Sequence, residues 1–199
     1  MSLLNKTAFL ALMFLLILAS CGQVYTPKPR GYFRIDIPKR SYRLFDSTFP
    51  FRFEYPADAK ITNDPNSPHQ KYWIDVRYPQ YKATIHISYK SVHHNLVKYL
   101  EDSRSMVIKH IPKANAINDS LIIDPQRHLY GMAYDIEGIG VASPYQFILT
   151  DSSSHFLRGA LYFRVIPNND SLEPVIQAIK GDIRHMLNTF HWKNNIKQK

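Results

Sequence analysis

Cysteine is nearly absent from the sequence: the 199 residues contain one, Cys21. That excludes an intramolecular disulfide framework and any multi-cysteine zinc site. Glycine is scarce, at seven residues, and the 13 prolines follow no repeating triplet, so a collagen-like fibre is out. No segment of 20–50 residues recurs, which excludes a solenoid or propeller. Acidic residues are outnumbered 16 to 25, and the resulting +9 formal charge is compatible with an anionic partner without selecting one. Missing as well are a Gly-x-Ser-x-Gly elbow, a P-loop, a His-Glu-x-x-His pair and a Gly-x-Gly-x-x-Gly turn. What remains is 45% hydrophobic and 21% charged residues, enough to fill the core of one ordinary domain with extensions.

The N-terminus is the most informative stretch. Lys6 is its only charge before an unbroken apolar run, Ala8 to Leu18. That run is too short for a bilayer core, which takes about 20 residues, and it has the form of a signal-peptide h-region. It ends in Leu18-Ala19-Ser20-Cys21-Gly22, which resembles the bacterial lipobox. Leu18, Ala19 and Ser20 would be read by the lipoprotein signal peptidase, and Cys21 would carry the lipid. Several acyl chains hold a protein stably to a membrane where one does not. Gly22 stands where an Asp would resemble an inner-membrane retention signal, and residues 22–27 hold no acidic surface-export tag. The expected location is the cell envelope, lipid-anchored on the periplasmic face of the outer membrane.

Four segments follow: a signal peptide at 1–20, a lipidated arm at 21–48, a single domain at 49–193 and a basic tail at 194–199. Thr26-Pro27-Lys28-Pro29-Arg30-Gly31 favours an extended tether, and Tyr32 to Ile37 reads as a short edge strand. Phe51/Phe53/Tyr55, Tyr72/Ile74/Val76/Tyr78 and Ala83/Ile85/Ile87/Tyr89 alternate as half-buried strands do, leaving Thr84, His86 and Ser88 on a wet face. The period switches to helical from about Val92 to His110, with Leu96, Leu100, Val107 and Ile111 inward and Val97, Arg104 and Ile108 flanking. Strand patterns resume at Leu121–Ile123, Tyr130–Ile136, Tyr145–Leu149 and Leu157–Val165, the last two as a hairpin across Asp151-Ser152-Ser153-Ser154. Asp170 and Glu173 suit a capping box, opening a helix whose stripe runs from Leu172 through Val175, Ile179, Ile183 and Met186 to Phe190. This order predicts an α+β domain, a largely antiparallel sheet with two packed helices resembling the Mog1/PsbP α/β/α sandwich. A two-layer α+β domain of another topology is the alternative.

Chemistry-bearing residues are few. Ser152-Ser153-Ser154-His155 places serines beside a histidine inside a turn, where a triad is not assembled by adjacency. Gly138-Ile139-Gly140 is too short to cradle a phosphate and marks a strand end. His93 and His94 are adjacent and point about 100° apart on a helix, and His185 and His191 miss the i, i+4 spacing of paired ligands. The expectation is therefore no catalytic residue, no metal site and no cofactor. Lys28, Arg30, Tyr32, Phe33 and Arg34 make a charged, aromatic candidate docking arm. The membrane and other envelope proteins are the expected partners, and nucleic acid is not one.

Ser47, Ser120 and Ser171 each follow an Asp, in triplets resembling the O-glycosylation acceptor of Bacteroidetes. A wider resemblance rests on ordered blocks: Thr26–Arg34 soon after Cys21, Lys82–Lys90, Tyr130–Asp135, Gln146–Ser152, His155–Phe163, Pro167–Ser171 and Asp182–His185. Together they resemble the gliding-motility lipoprotein GldD family of the Bacteroidetes. The resemblance implies a non-enzymatic envelope lipoprotein of the gliding and type IX secretion machinery, and it supplies no catalytic residue. Two other classes remain open: a periplasmic, lipid-anchored ligand- or protein-binding module with a cleft at Tyr130 and Tyr134, and a hydrolase assembled from distant residues. The lipobox generates a first prediction. Cys21→Ala removes the thiol that acylation needs, so the variant should take up no fatty-acid label and keep its signal peptide. Labelling cells with a clickable fatty acid, followed by fractionation, reads both outcomes.

Overall fold

The computed structural model describes residues 37–165 and 168–193. Among the described residues, ten strands and two long helices follow one another. They are β1 (Tyr42–Phe45), β2 (Phe51–Pro56), β3 (Lys60–Asn63), β4 (Ile74–Tyr78), β5 (Ala83–Ser91), α1 (Leu96–Ile108), β6 (Ala116–Asp124), β7 (Leu129–Glu137), β8 (Tyr145–Thr150), β9 (His155–Phe163), α2 (Asn169–Thr189) and β10 (His191–Trp192). The main sheet has seven strands in the order β3-β4-β5-β9-β8-β7-β6, and β1-β2-β10 form a second, small one. Every pairing is antiparallel. The α+β class with helices packed on a largely antiparallel sheet is the one found.

Alternation decides which side chains meet which helix. Ile74, Val76, Ile85, Ile87, Phe147, Leu149, Leu157 and Leu161 point to one face of the main sheet and join one core with Val175, Ile179, Ile183 and Met186 of α2. The opposite face carries Phe156 and Ile148, which pack under Leu96, Tyr99 and Leu100 of α1, and Ile136, which packs with Val107. Each fully buried side chain of this kind contributes about 1.5–3 kcal/mol of transfer free energy. Gly159 has a packing reason: a Cβ there would sit 2.1 Å from the ring of Phe147, its cross-strand partner.

Three expectations meet differences. The expected domain start at Phe49 falls inside the small sheet, since β1, drawn from the expected arm, pairs with β2 from Tyr42↔Pro56 to Phe45↔Phe53. Asp170 and Glu173 do not form a capping box. The cap position is Asn168, Ser171 Oγ donates to its carbonyl, and Glu173 accepts from Gln177 one turn on. On the face expected to be wet, Thr84 is buried, while His86 and Ser88 remain partly exposed. Val97 and Ile108 do stand exposed on α1. The short strand expected at Tyr32–Ile37 lies outside the described residues apart from its last member.

Two charged clamps fix α2. At its C-terminal end Arg127 Nη1 donates to three carbonyls, Leu187 (3.2 Å), Asn188 (2.8 Å) and Phe190 (3.0 Å), while Nε holds Asp124 at 2.7 Å. A helix end leaves carbonyls unpaired, and a cation there also suits the dipole. In its middle, Asp182 is buried and takes an ion pair from Arg40 at 3.0 Å and a hydrogen bond from the Tyr42 hydroxyl at 3.1 Å. Burial nonetheless outweighs Arg40 and holds the Asp182 carboxyl above the ordinary range. Burial, with the Asp182 charge behind it, also pushes the Tyr78 hydroxyl far up.

Replacing Arg127 by Ala strands those carbonyls and should cost about 2 kcal/mol, the scale of a charged hydrogen bond. It would be seen as a lower urea midpoint at unchanged slope and faster amide exchange in the last turn of α2. Arg40→Met removes the cation facing a buried carboxylate, for a loss of about 3–5 kcal/mol at pH 7. Asp182 would then bind its proton more readily folded than unfolded, so stability falls as pH rises from the ordinary carboxylate range. The deficit of Arg40→Met should therefore shrink as pH drops into the ordinary carboxylate range, through which the raised group takes up its proton. Urea midpoints of both proteins across that range check it.

Candidate functional site

The α1 face of the main sheet is apolar at one end and charged at the other. Strand register sets one cross-sheet row as Thr62, Asp75, His86, Ala160, Gln146, Tyr134 and Asp119. The next row runs Ser88, Arg158, Ile148, Met132 and Leu121. Helix α1 lies over the middle, and a depression opens on each side of it. One is a groove lined by Leu100, Glu101, Arg104, Ile117, Asp119, Met132, Tyr134 and Ile148. The other is a cavity of about 240 Å³, walled by Trp73, Tyr99, Met106 and Phe156 and carrying Asp64, His86, Ser88, Lys90, Asp102 and Arg158.

Asp75 anchors the charged end. It is 1% exposed, and a buried carboxylate needs partners. Oδ1 meets His86 Nδ1 at 2.6 Å, while Oδ2 accepts from Arg77 Nη2 at 3.1 Å and Nε at 3.3 Å. Asp64, just past β3, brings its carboxylate to the same place. Its backbone N–H donates to the Trp73 carbonyl, and its Oδ1 takes the Asn66 N–H at 2.9 Å, which closes the turn. One ligand-capable atom each from Asp64, Asp75 and His86 lies within 4.8 Å of the other two. The Thr62 hydroxyl, paired in register with Asp75, is buried without a hydrogen-bond partner.

Across the cavity Arg158 rests on the sheet and donates to Gln146 Oε1 at 2.5 Å. Desolvation holds its guanidinium below the ordinary arginine value, with Tyr162 opposing. Lys90 Nζ sits 4.8 Å from the centre of the Tyr99 ring. At the end of the same strands, His155 accepts or donates at the Tyr89 hydroxyl (2.7 Å) and stacks on Trp192, and burial lowers its pKa against the pull of Asp151.

The residues singled out in the sequence fall elsewhere. Leu18, Ala19, Ser20, Cys21, Lys28, Arg30, Tyr32, Phe33 and Arg34 lie outside the described residues. The Ser152–Ser154 stretch is a hairpin turn closed on Asp151, whose Oδ1 accepts the N–H groups of Ser153, Ser154 and His155. His185 stacks on Tyr42 and hydrogen-bonds Glu54, and His191 is turned to the Thr189 carbonyl. Tyr134 does line a groove, whereas Tyr130 is not among the lining residues. Sequence reasoning passed over Asp64, Asp75, His86 and Arg158. A signal for two of them was present: pairing Tyr78 with Ala83 across the short turn puts Asp75 opposite His86.

The solution structure of cyanobacterial PsbP (CyanoP) from Synechocystis sp. PCC 6803 is similar, with a TM-score of 0.46 at 11% identity, covering 89% of this chain and 99% of that one. No curated protein matches the sequence. The family described as gliding motility lipoprotein GldD matches residues 22–192, from just after Cys21 to the last residue of β10. The chain belongs to the GldD family of gliding motility lipoproteins.

Proposed function

We propose that this protein is a non-enzymatic component of the gliding motility and type IX secretion machinery, lipid-anchored through Cys21 on the periplasmic face of the outer membrane. Family membership gives a lipid-anchored protein of the cell envelope with a part in gliding. The observation that carries the finer reading is the extent of the match, which begins one residue after the lipobox cysteine and takes in the whole described domain. A tether raises the effective concentration of the domain near membrane partners without adding a contact. The root of that tether is well fixed, because Arg40 and Tyr42 hold α2 through Asp182. Partners would be envelope proteins of the same machinery, met through the arm at Lys28–Arg34 or the domain surface.

A second reading, a lipid-anchored ligand-binding module, is favoured by the cavity between α1 and the sheet. Genetics and surface movement separate the two from a bystander role. A clean deletion should abolish surface spreading and reduce secretion of type IX cargo. The wild-type gene should restore both, and a Cys21→Ala gene, expressed at equal level, should restore neither fully. Unchanged spreading and secretion in the deletion strain would overturn the machinery role.

A further inference from the structure

We propose that Asp64, Asp75 and His86 bind one divalent first-row transition cation, of the zinc or manganese kind, at the wall of the cavity under α1. The three side chains come from three places, the residue after β3, the second residue of β4 and the fourth of β5, so the site exists only in the folded sheet. Ligand atoms held about 2.1 Å from an ion lie roughly 3.0–4.2 Å from one another. The candidate atoms already lie within 4.8 Å of each other, so a small closing motion completes the set. Asp75 and His86 sit on paired central strands, which restricts their movement, and the Asn66 N–H holds the Asp64 carboxylate in its turn.

His86 Nδ1 and Asp75 Oδ1 face each other across 2.6 Å. With Nδ1–H as the donor, the neutral imidazole's single proton moves through solvent to Nε2 as the cation takes its place between the oxygen and the nitrogen, so the ring binds through Nδ1 with no net loss of a proton. Arg77 stays on Asp75 Oδ2, orienting the carboxylate as an outer partner does at metal sites. Two carboxylates and one guanidinium leave a net charge of −1 before the ion arrives, which suits a dication. An imidazole donor with two carboxylates favours zinc, manganese or iron over magnesium and calcium. A second observation points the same way: the buried Thr62 hydroxyl, next to Asp75 in register on this face, has no partner. The cavity beyond leaves room for water or an anionic group on the open coordination positions, with Arg158 on the opposite side.

The test uses the mature chain in detergent, stripped with a chelator and titrated calorimetrically with zinc, manganese and magnesium ions. The expected result is one equivalent of zinc or manganese bound and no measurable heat from magnesium. Asp64→Asn and His86→Gln should each weaken binding by about tenfold or more, while His185→Gln, on the other face, leaves it unchanged. X-ray absorption of the zinc form should show one nitrogen among oxygen ligands. Asp64 lies in a half-exposed turn, so Asp64→Asn folds with an unaltered melting temperature in the metal-free state and separates lost binding from lost structure. Absence of binding, or binding that survives both substitutions or falls equally with His185→Gln, overturns the site. These readouts are independent of gliding, so a motility defect or its absence does not bear on them.

Discussion

The structure hangs on the seating of α2 between the main sheet and an aromatic stack supplied by the small one. Phe51 and Phe53 of β2 are wholly buried and stack on each other at 6.0 Å. Phe190, immediately after α2, stacks on both, at 5.8 and 6.4 Å. Trp192 then meets Phe190 edge-on at 4.7 Å and lies flat on His155 of β9 at 5.0 Å. Large aromatic side chains dominate core energetics, and offset or edge-on pairs add about 0.5–1.5 kcal/mol each. The strand that carries Phe51 and Phe53 is the one with which both β1 and β10 pair, and without the stack the apolar stripe of α2 loses one of its two walls.

That arrangement explains why polarity collects on the other face. The α2 side is sealed by helix, small sheet and aromatics together, and its buried charges are paired: Lys180 reaches Asp135 at 2.7 Å, and Asp182 is met by Arg40 and Tyr42. The α1 side is covered by a single 13-residue helix that lies over the centre of a seven-stranded sheet. One helix is too narrow to bury such a sheet, since it is only about 10–12 Å across with its side chains. The uncovered flanks become the groove at β6–β7 and the charged cavity at β4–β5–β9.

Local periodicity made much of this legible. Strands β2, β4, β5, β7, β8 and β9 announce themselves by alternating aromatic and β-branched residues, and the helical stripe from Val175 to Phe190 marks α2 and the residue that follows it. Strands β3 and β10 carry no such mark, being four and two residues long and defined only by what they pair with. The capping box failed because Asp170 falls inside the first turn, where tertiary contacts take over. Asn169 sends its amide to the carbonyls of Gly138 and Val141, tying the helix start to the loop after β7. The candidate site was hidden for a related reason: its ligands are spaced 11 apart or more along the chain and meet only through register, which no helical or local motif encodes.

The pairing of β2 with β10 has a consequence for how the chain reaches this state. Arg52 opposes His191 and Phe51 opposes Trp192, so the first core strand is completed by the last described residues, and the Lys193 N–H closes on the Pro50 carbonyl. Such contacts carry the full loop-closure entropy of the domain and form slowly. Any route that delivers the chain N-terminus first, from a ribosome or across a membrane, leaves Phe51 and Phe53 uncovered until α2 and Trp192 have emerged. Chemistry performed on the leading end thus precedes the moment at which the core can close. A chain truncated before α2 would present those two phenylalanines to solvent, the mark by which quality-control proteases recognise an unfinished molecule.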